Sequence, residues 1–75
     1  MTVTDMLAQL DKLNKYQLRA LRQTLAGRGV AKSIHVDKAT DKATVTFGLP
    51  NGLEVTHFIM LGPRGRIVYH EKSCN

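Results

Sequence analysis

The chain has no tryptophan, one cysteine and two prolines, and only two Phe and two Tyr. With so few rings the core has to be aliphatic, assembled from Leu, Ile and Val. Cys74 has no second cysteine to pair with, and a small domain without such a staple fits a reducing compartment. Long hydrophobic runs are missing too. The longest continuous one, Phe58-Ile59-Met60-Leu61, falls far short of the ~20 residues of a membrane span. The opening Met1-Thr2-Val3-Thr4-Asp5 is neither basic nor apolar, so no secretory signal is visible. The expectation from these absences is a cytoplasmic protein with no membrane among its partners.

Catalytic and ligand-binding motifs are also lacking. A chain of 75 residues makes one small domain, residues 1–75, that buries only about 60–65% of its unfolded surface. That leaves little volume for a deep, dry cleft. The acids Asp5, Asp11, Asp37, Asp41, Glu54 and Glu71 are scattered, and Cys74 has no fixed base beside it. Gly27-Arg28-Gly29 follows a helical segment instead of leading into one, unlike a phosphate-binding loop. Three histidines and one cysteine do not supply the ligand spacing of a zinc site. His57 and His70 are expected to face each other across two strands on the core side, as packed histidines and not as metal ligands. The sequence therefore points to a protein that is not an enzyme and needs no metal or cofactor.

One further absence is informative. Between Asp11 and Asp37 there is no acid at all, while Lys12, Lys15, Arg19, Arg22, Arg28 and Lys32 fall inside that window. The rest of the chain is nearly balanced, so the formal net charge of +5 resides in this segment. Concentrated charge of one sign speaks to partners more than to solubility.

The apolar pattern of the first 26 residues is helical, with Leu7, Leu10, Leu18, Leu21 and Leu25 at three-, four- and seven-residue intervals. A single straight helix would set Asn14 in the middle of that stripe. Asn14 is instead a good N-cap, and Gln17 completes a capping box. Two helices, 4–12 and 15–26, follow, as a helical hairpin or a bent helix, stopped by Gly27 in a left-handed C-cap. From Val30 the period becomes two. Strands are expected at 31–36, 43–49, 53–61 and 66–71, within a β-region of 30–71. Pro50-Asn51-Gly52 forms a three-residue hairpin loop that places Phe47 opposite Val55 and Val45 opposite His57. Gly62-Pro63-Arg64-Gly65 makes the next turn. The fold class is α+β, the helices packed on a four-stranded antiparallel β-meander.

On this layout Lys15, Arg19 and Arg22 line the outer side of the second helix, opposite Leu18, Leu21 and Leu25. Phosphate contacts need flexible cations on a rigid element, clear of local carboxylates. Gln17 and Gln23 are long enough to reach base edges. Pro63-Arg64-Gly65-Arg66 resembles the core of an AT-hook, in which glycine lets the backbone approach the minor-groove floor between two arginines. The resemblance stops after four residues, since Ile67 begins a strand, and a β-turn with a basic tip accounts for them. If Leu61 pairs with Arg66, then Phe58, Met60, Ile67 and Tyr69 gather on the face away from the helices as an apolar partner patch.

Two functional expectations result. In the first, Lys12, Lys15, Arg19, Arg22, Arg28, Lys32, Arg64 and Arg66 engage nucleic acid or a nucleoprotein complex, as in transcription-type regulation. In the second, the same cations meet an acidic protein surface and the apolar patch forms the centre of the contact. The protein is then an inhibitor or adaptor of the kind phages direct at host RNA polymerase or another host enzyme. Either is compatible with a homodimer.

Overall fold

A computed structural model gives the fold, and residues 2–74 are described. Two short helices, α1 (Val3–Leu10) and α2 (Lys15–Leu25), precede strands β1 (Ala31–Asp37), β2 (Lys42–Gly48), β3 (Glu54–Leu61) and β4 (Ile67–Cys74). The strands form one antiparallel sheet in the order β1-β2-β3-β4. The class is α+β.

Each helix begins where its sequence can satisfy the first free N–H groups. The Thr2 hydroxyl accepts from the Asp5 N–H at 3.1 Å and the Asp5 carboxylate accepts from the Thr2 N–H at 3.3 Å. At α2, Asn14 Oδ1 accepts from the Gln17 N–H at 2.9 Å, and Gln17 Oε1 accepts from the Asn14 N–H at 3.1 Å. Gly27, at φ +78, turns the chain out of α2 in the left-handed region.

Alternation sorts the sheet into two faces. Ile34, Val36, Ala43, Val45, Phe47, His57, Ile59 and Leu61 are buried beneath the helices, together with Leu21 from α2. Each large aliphatic buried there contributes about 1.5–3 kcal/mol. Met6, Leu10 and Leu13 pack against this core from the α1 side. Gln9 of α1 also reaches the sheet: its Oε1 accepts the Val36 N–H at 2.9 Å. That bond occupies an edge group of β1 and so blunts one side of the sheet. At the opposite edge every residue of β4 is exposed, because the helical layer covers β1 to β3 only.

The β2–β3 register is the expected one, with Phe47 opposite Val55 and Val45 opposite His57. The β3–β4 register differs. Leu61 pairs with Ile67, not Arg66, and a bulge follows, so that Met60 faces Tyr69 and Phe58 faces Glu71. The cause is the turn. Gly62 donates its N–H to Arg66 O at 2.7 Å, closing a three-residue loop of Pro63, Arg64 and Gly65. Pro50, Asn51 and Gly52 make the same kind of loop, where the Leu49 N–H donates to Leu53 O at 2.8 Å. β4 also runs on to Cys74, which sits opposite Val55 and not past the end of the sheet.

The second face of α2 corrects another expectation. Gln17, not Leu18, joins Leu21 in the interior; Gln17 is 5% exposed and Leu18 half-buried. Gln17 is accommodated because both ends of its amide are used: the Oε1 in the capping box, and Nε2 donating to Leu61 O at 3.4 Å.

Gly52 and Gly65 hold the same conformation, at φ +86 and +82, but only Gly65 is pressed against the helix. A Cβ there would lie 2.3 Å from the Tyr16 carbonyl oxygen, whereas one at Gly52 meets nothing within 4 Å. Gly52→Ala is expected to cost about 1–2 kcal/mol, the left-handed penalty alone. Gly65→Ala adds a backbone clash and is expected to cost at least about twice that. Urea unfolding of the two variants measures the difference; equal costs would mean that the loop does not press on α2.

Candidate nucleic-acid interface

The cations of the acid-free window are divided among four places. Lys15, Arg19 and Arg22 are exposed on the outer side of α2. Lys12 is half-buried in the link before α2, with Nζ donating to Gln9 Oε1 at 3.3 Å. Arg28 lies beyond the other end of α2, where its Nε donates to Thr24 O at 3.1 Å. Lys32 forms an ion pair with Glu54 at 2.9 Å, which offsets its charge. No other side-chain ion pair occurs among the described residues.

The β3–β4 loop is brought to the first turn of α2. Asn14 Nδ2 donates to Pro63 O at 2.6 Å, and Gly65 lies against the Tyr16 carbonyl and the Ala20 methyl. Arg64, at the tip, and Arg66, at the shoulder, are exposed. Cations far apart in sequence thus reach the same end of the helix. The Pro63–Arg66 segment is held as a hairpin turn and is not an extended strap of the AT-hook kind.

Tyr16 completes this surface, and sequence reasoning did not single it out. It is 52% exposed, and Lys15 Nζ lies 5.2 Å from its ring centroid, within cation–π range. The available signal was an aromatic set between Lys15 and Arg19, a pattern suited to stacking a base beside a phosphate contact. Gln17, in contrast, is committed to the capping box and to Leu61 O and is not available to read bases. Gln23 is exposed.

The far face of the sheet is less apolar than its sequence pattern implies. Phe58 and Met60 are half-buried, Tyr69 is exposed, and Ile67 faces Leu61 on the other side. Lys42 Nζ lies 5.2 Å from the Phe58 ring centroid. The Tyr69 hydroxyl donates to Glu71, which keeps the phenol protonated and raises its pKa. Thr46 and Thr56 share a hydroxyl contact at 3.2 Å on the same face.

His57 and His70 meet, but on a diagonal. His57 is opposite Lys72 and His70 opposite Ile59, yet His57 Nδ1 and His70 Nε2 are 3.0 Å apart. One ring donates and the other accepts, so this contact is lost if both rings are fully protonated. Phe47 meets the His57 ring edge-on, at 5.7 Å between centroids. Among the described residues no three His, Cys, Asp or Glu side chains come together as a metal-holding group, and no helix is long and apolar enough to cross a membrane. No known protein family, curated protein or solved structure matches the chain.

Burial lowers the His57 pKa below 6.5, and the nearby charges of Arg28, His70 and Lys72 lower it further. The unfolded chain therefore binds this proton more readily than the folded one does, and stability rises with pH in that range. His57 contributes a stability that is fully present above 6.5 and is lost as pH falls through the depressed folded value. The urea midpoint is expected to fall between about pH 7 and 5, and His57→Gln, which cannot take up the proton, is expected to flatten that fall. A slope unchanged by the substitution would contradict the assignment.

Proposed function

We propose that the protein is a non-enzymatic binding protein that engages nucleic acid, alone or within a nucleoprotein complex, through the outer side of α2 and the Pro63–Arg66 loop. A role in regulating gene expression follows as the working setting. The observation that carries this reading is the uncompensated cationic surface at the start of α2. Lys15 and Arg19 stand on a capped helix, the Asn14–Pro63 bond brings the loop that bears Arg64 to the start of that helix, and none of the three cations forms an ion pair with a carboxylate among the described residues. Flexible cations on a rigid support suit phosphates, and Tyr16 offers a stacking platform for an unpaired base. Lys12 and Lys32, which have partners within the protein, play a smaller part.

An acidic protein surface would meet the same cations. That alternative leaned on a broad apolar patch at Phe58, Met60, Ile67 and Tyr69, and the displacement of Ile67 and the ammonium over Phe58 weaken it.

Retention of DNA and RNA at low salt tests the proposal. Binding is expected to fall with salt at a log–log slope of about −4, corresponding to four or five phosphate contacts. The double variant Arg19→Glu, Arg22→Glu is expected to lose binding to all sequences alike. Tyr16→Ala is expected to weaken single-strand binding by about five- to a hundredfold, the worth of one stacked base, and duplex binding less. Absence of retention of any nucleic acid at low salt would overturn the proposal. So would a salt slope near zero.

A further inference from the structure

A concave surface lies at the other end of α2, where the helical layer stops short of β4. It is a groove of about 300 Å³, lined by Gly27, Arg28, Phe47, Leu49, Val55, His57 and Lys72. Its walls differ in kind. Phe47, Leu49 and Val55 make an apolar wall from the β2–β3 hairpin. Arg28 comes from the loop after α2 and Lys72 from β4, and the lining also includes His57, 2% exposed, which is bonded to the exposed His70 of β4.

Both charged side chains among the residues that line this groove, Arg28 and Lys72, are basic. No acidic side chain is among its lining residues, and neither Arg28 nor Lys72 takes part in the ion pair present among the described residues. The C-terminal end of a helix is ordinarily unfriendly to anions. Here the Arg28 guanidinium, bonded to Thr24 O, sits at that end and offsets its partial negative charge. Cationic groups on two separate elements, converging on a partly apolar hollow, form a site whose missing component is an anion.

The geometry points to a nucleotide site in this groove: a phosphate held between Arg28 and Lys72, with a planar ring laid against Leu49 and Val55. A guanidinium suits the oxygens of a phosphate, and a lysine supplies a second point charge. The volume, about 300 Å³, is at the small end of ligand sites, and the two cations select a ligand that carries a compact doubly charged anion. The nucleotide is either free or the 5′-phosphorylated end of a strand. The site uses none of the α2 ridge residues Lys15, Arg19 and Arg22, so it stands or falls apart from the nucleic-acid surface proposed above.

Proton NMR of the three histidines during titration with AMP, adenosine, inorganic phosphate and a short DNA strand with and without a 5′-phosphate tests this inference. His57 and His70 resonances are expected to move with AMP, with the 5′-phosphorylated strand, or with both, while those of His35 stay in place. AMP alone among the two phosphorylated ligands assigns the free nucleotide, and the strand alone assigns the strand end. Adenosine and the unphosphorylated strand are expected to bind at least about tenfold more weakly, and Arg28→Ala and Lys72→Ala each to weaken binding about tenfold. Both substitutions are at exposed positions, and an unchanged amide spectrum checks the fold. Arg19→Glu, Arg22→Glu is expected to leave the AMP response intact. Silence of both histidines with both phosphorylated ligands up to about 10 mM would overturn the proposal. So would inorganic phosphate binding as tightly as AMP, or binding unaffected by loss of Arg28 and Lys72.

Discussion

The contact on which the rest of this molecule depends is the docking of the first turn of α2 onto the β3–β4 turn. Three features make it. Asn14 Nδ2 bonds Pro63 O, Gln17 Nε2 reaches Leu61 O, and Gly65, lacking a side chain, lets the loop backbone lie against the Tyr16 carbonyl. Asn14 and Gln17 serve at the same time as the capping box that starts the helix. Helix initiation and tertiary docking are therefore one event, and loss of either side chain is felt in both. The docking also fixes which face of α2 is turned outward and brings the loop that bears Arg64 to the start of the helix.

The same constraint explains why a concentrated charge in the sequence becomes two separate surfaces in space. Lys15 and Arg19 stay at the docked end, with Arg64 and Tyr16. Arg28, past the end of α2, is delivered to the opposite side of the molecule's helical layer, beside Phe47, His57 and Lys72. Lys32, on the bulged part of β1, is spent on Glu54. A one-dimensional charge count treats these cations alike. Their partners distinguish them.

Much of the fold was legible where local chemistry acts alone. The Asn14–Gln17 capping box, the Gly27 exit from α2 and the β2–β3 register all depend on residues a few positions apart. The β3–β4 register was misplaced by a loop count. Gly62, just after β3, closes the loop against Arg66 and is not one of its three residues, and the resemblance between Pro50-Asn51-Gly52 and Pro63-Arg64-Gly65 is the signal in the sequence that shows it. Counting four loop residues put Phe58 opposite Tyr69; the true loop of three and the bulge put Met60 there and turn Ile67 to the other face. The buried Gln17 was illegible for a different reason. A polar residue in an amphipathic pattern reads as exposed, and its interior partner, Leu61 O, is 44 residues away. Of the candidate interface, the α2 ridge was readable from helical spacing, but its union with Arg64 depends on a tertiary bond that no local pattern encodes.

The central claim is that α2 and the β3–β4 loop present a single nucleic-acid-binding surface. Amide chemical-shift mapping with a short single-stranded oligonucleotide tests it most directly. Perturbations are expected together at Lys15, Tyr16, Arg19, Arg22, Arg64 and Gly65. Perturbations confined to the outer face around Thr44, Thr56 and Phe58, with α2 silent, would contradict it.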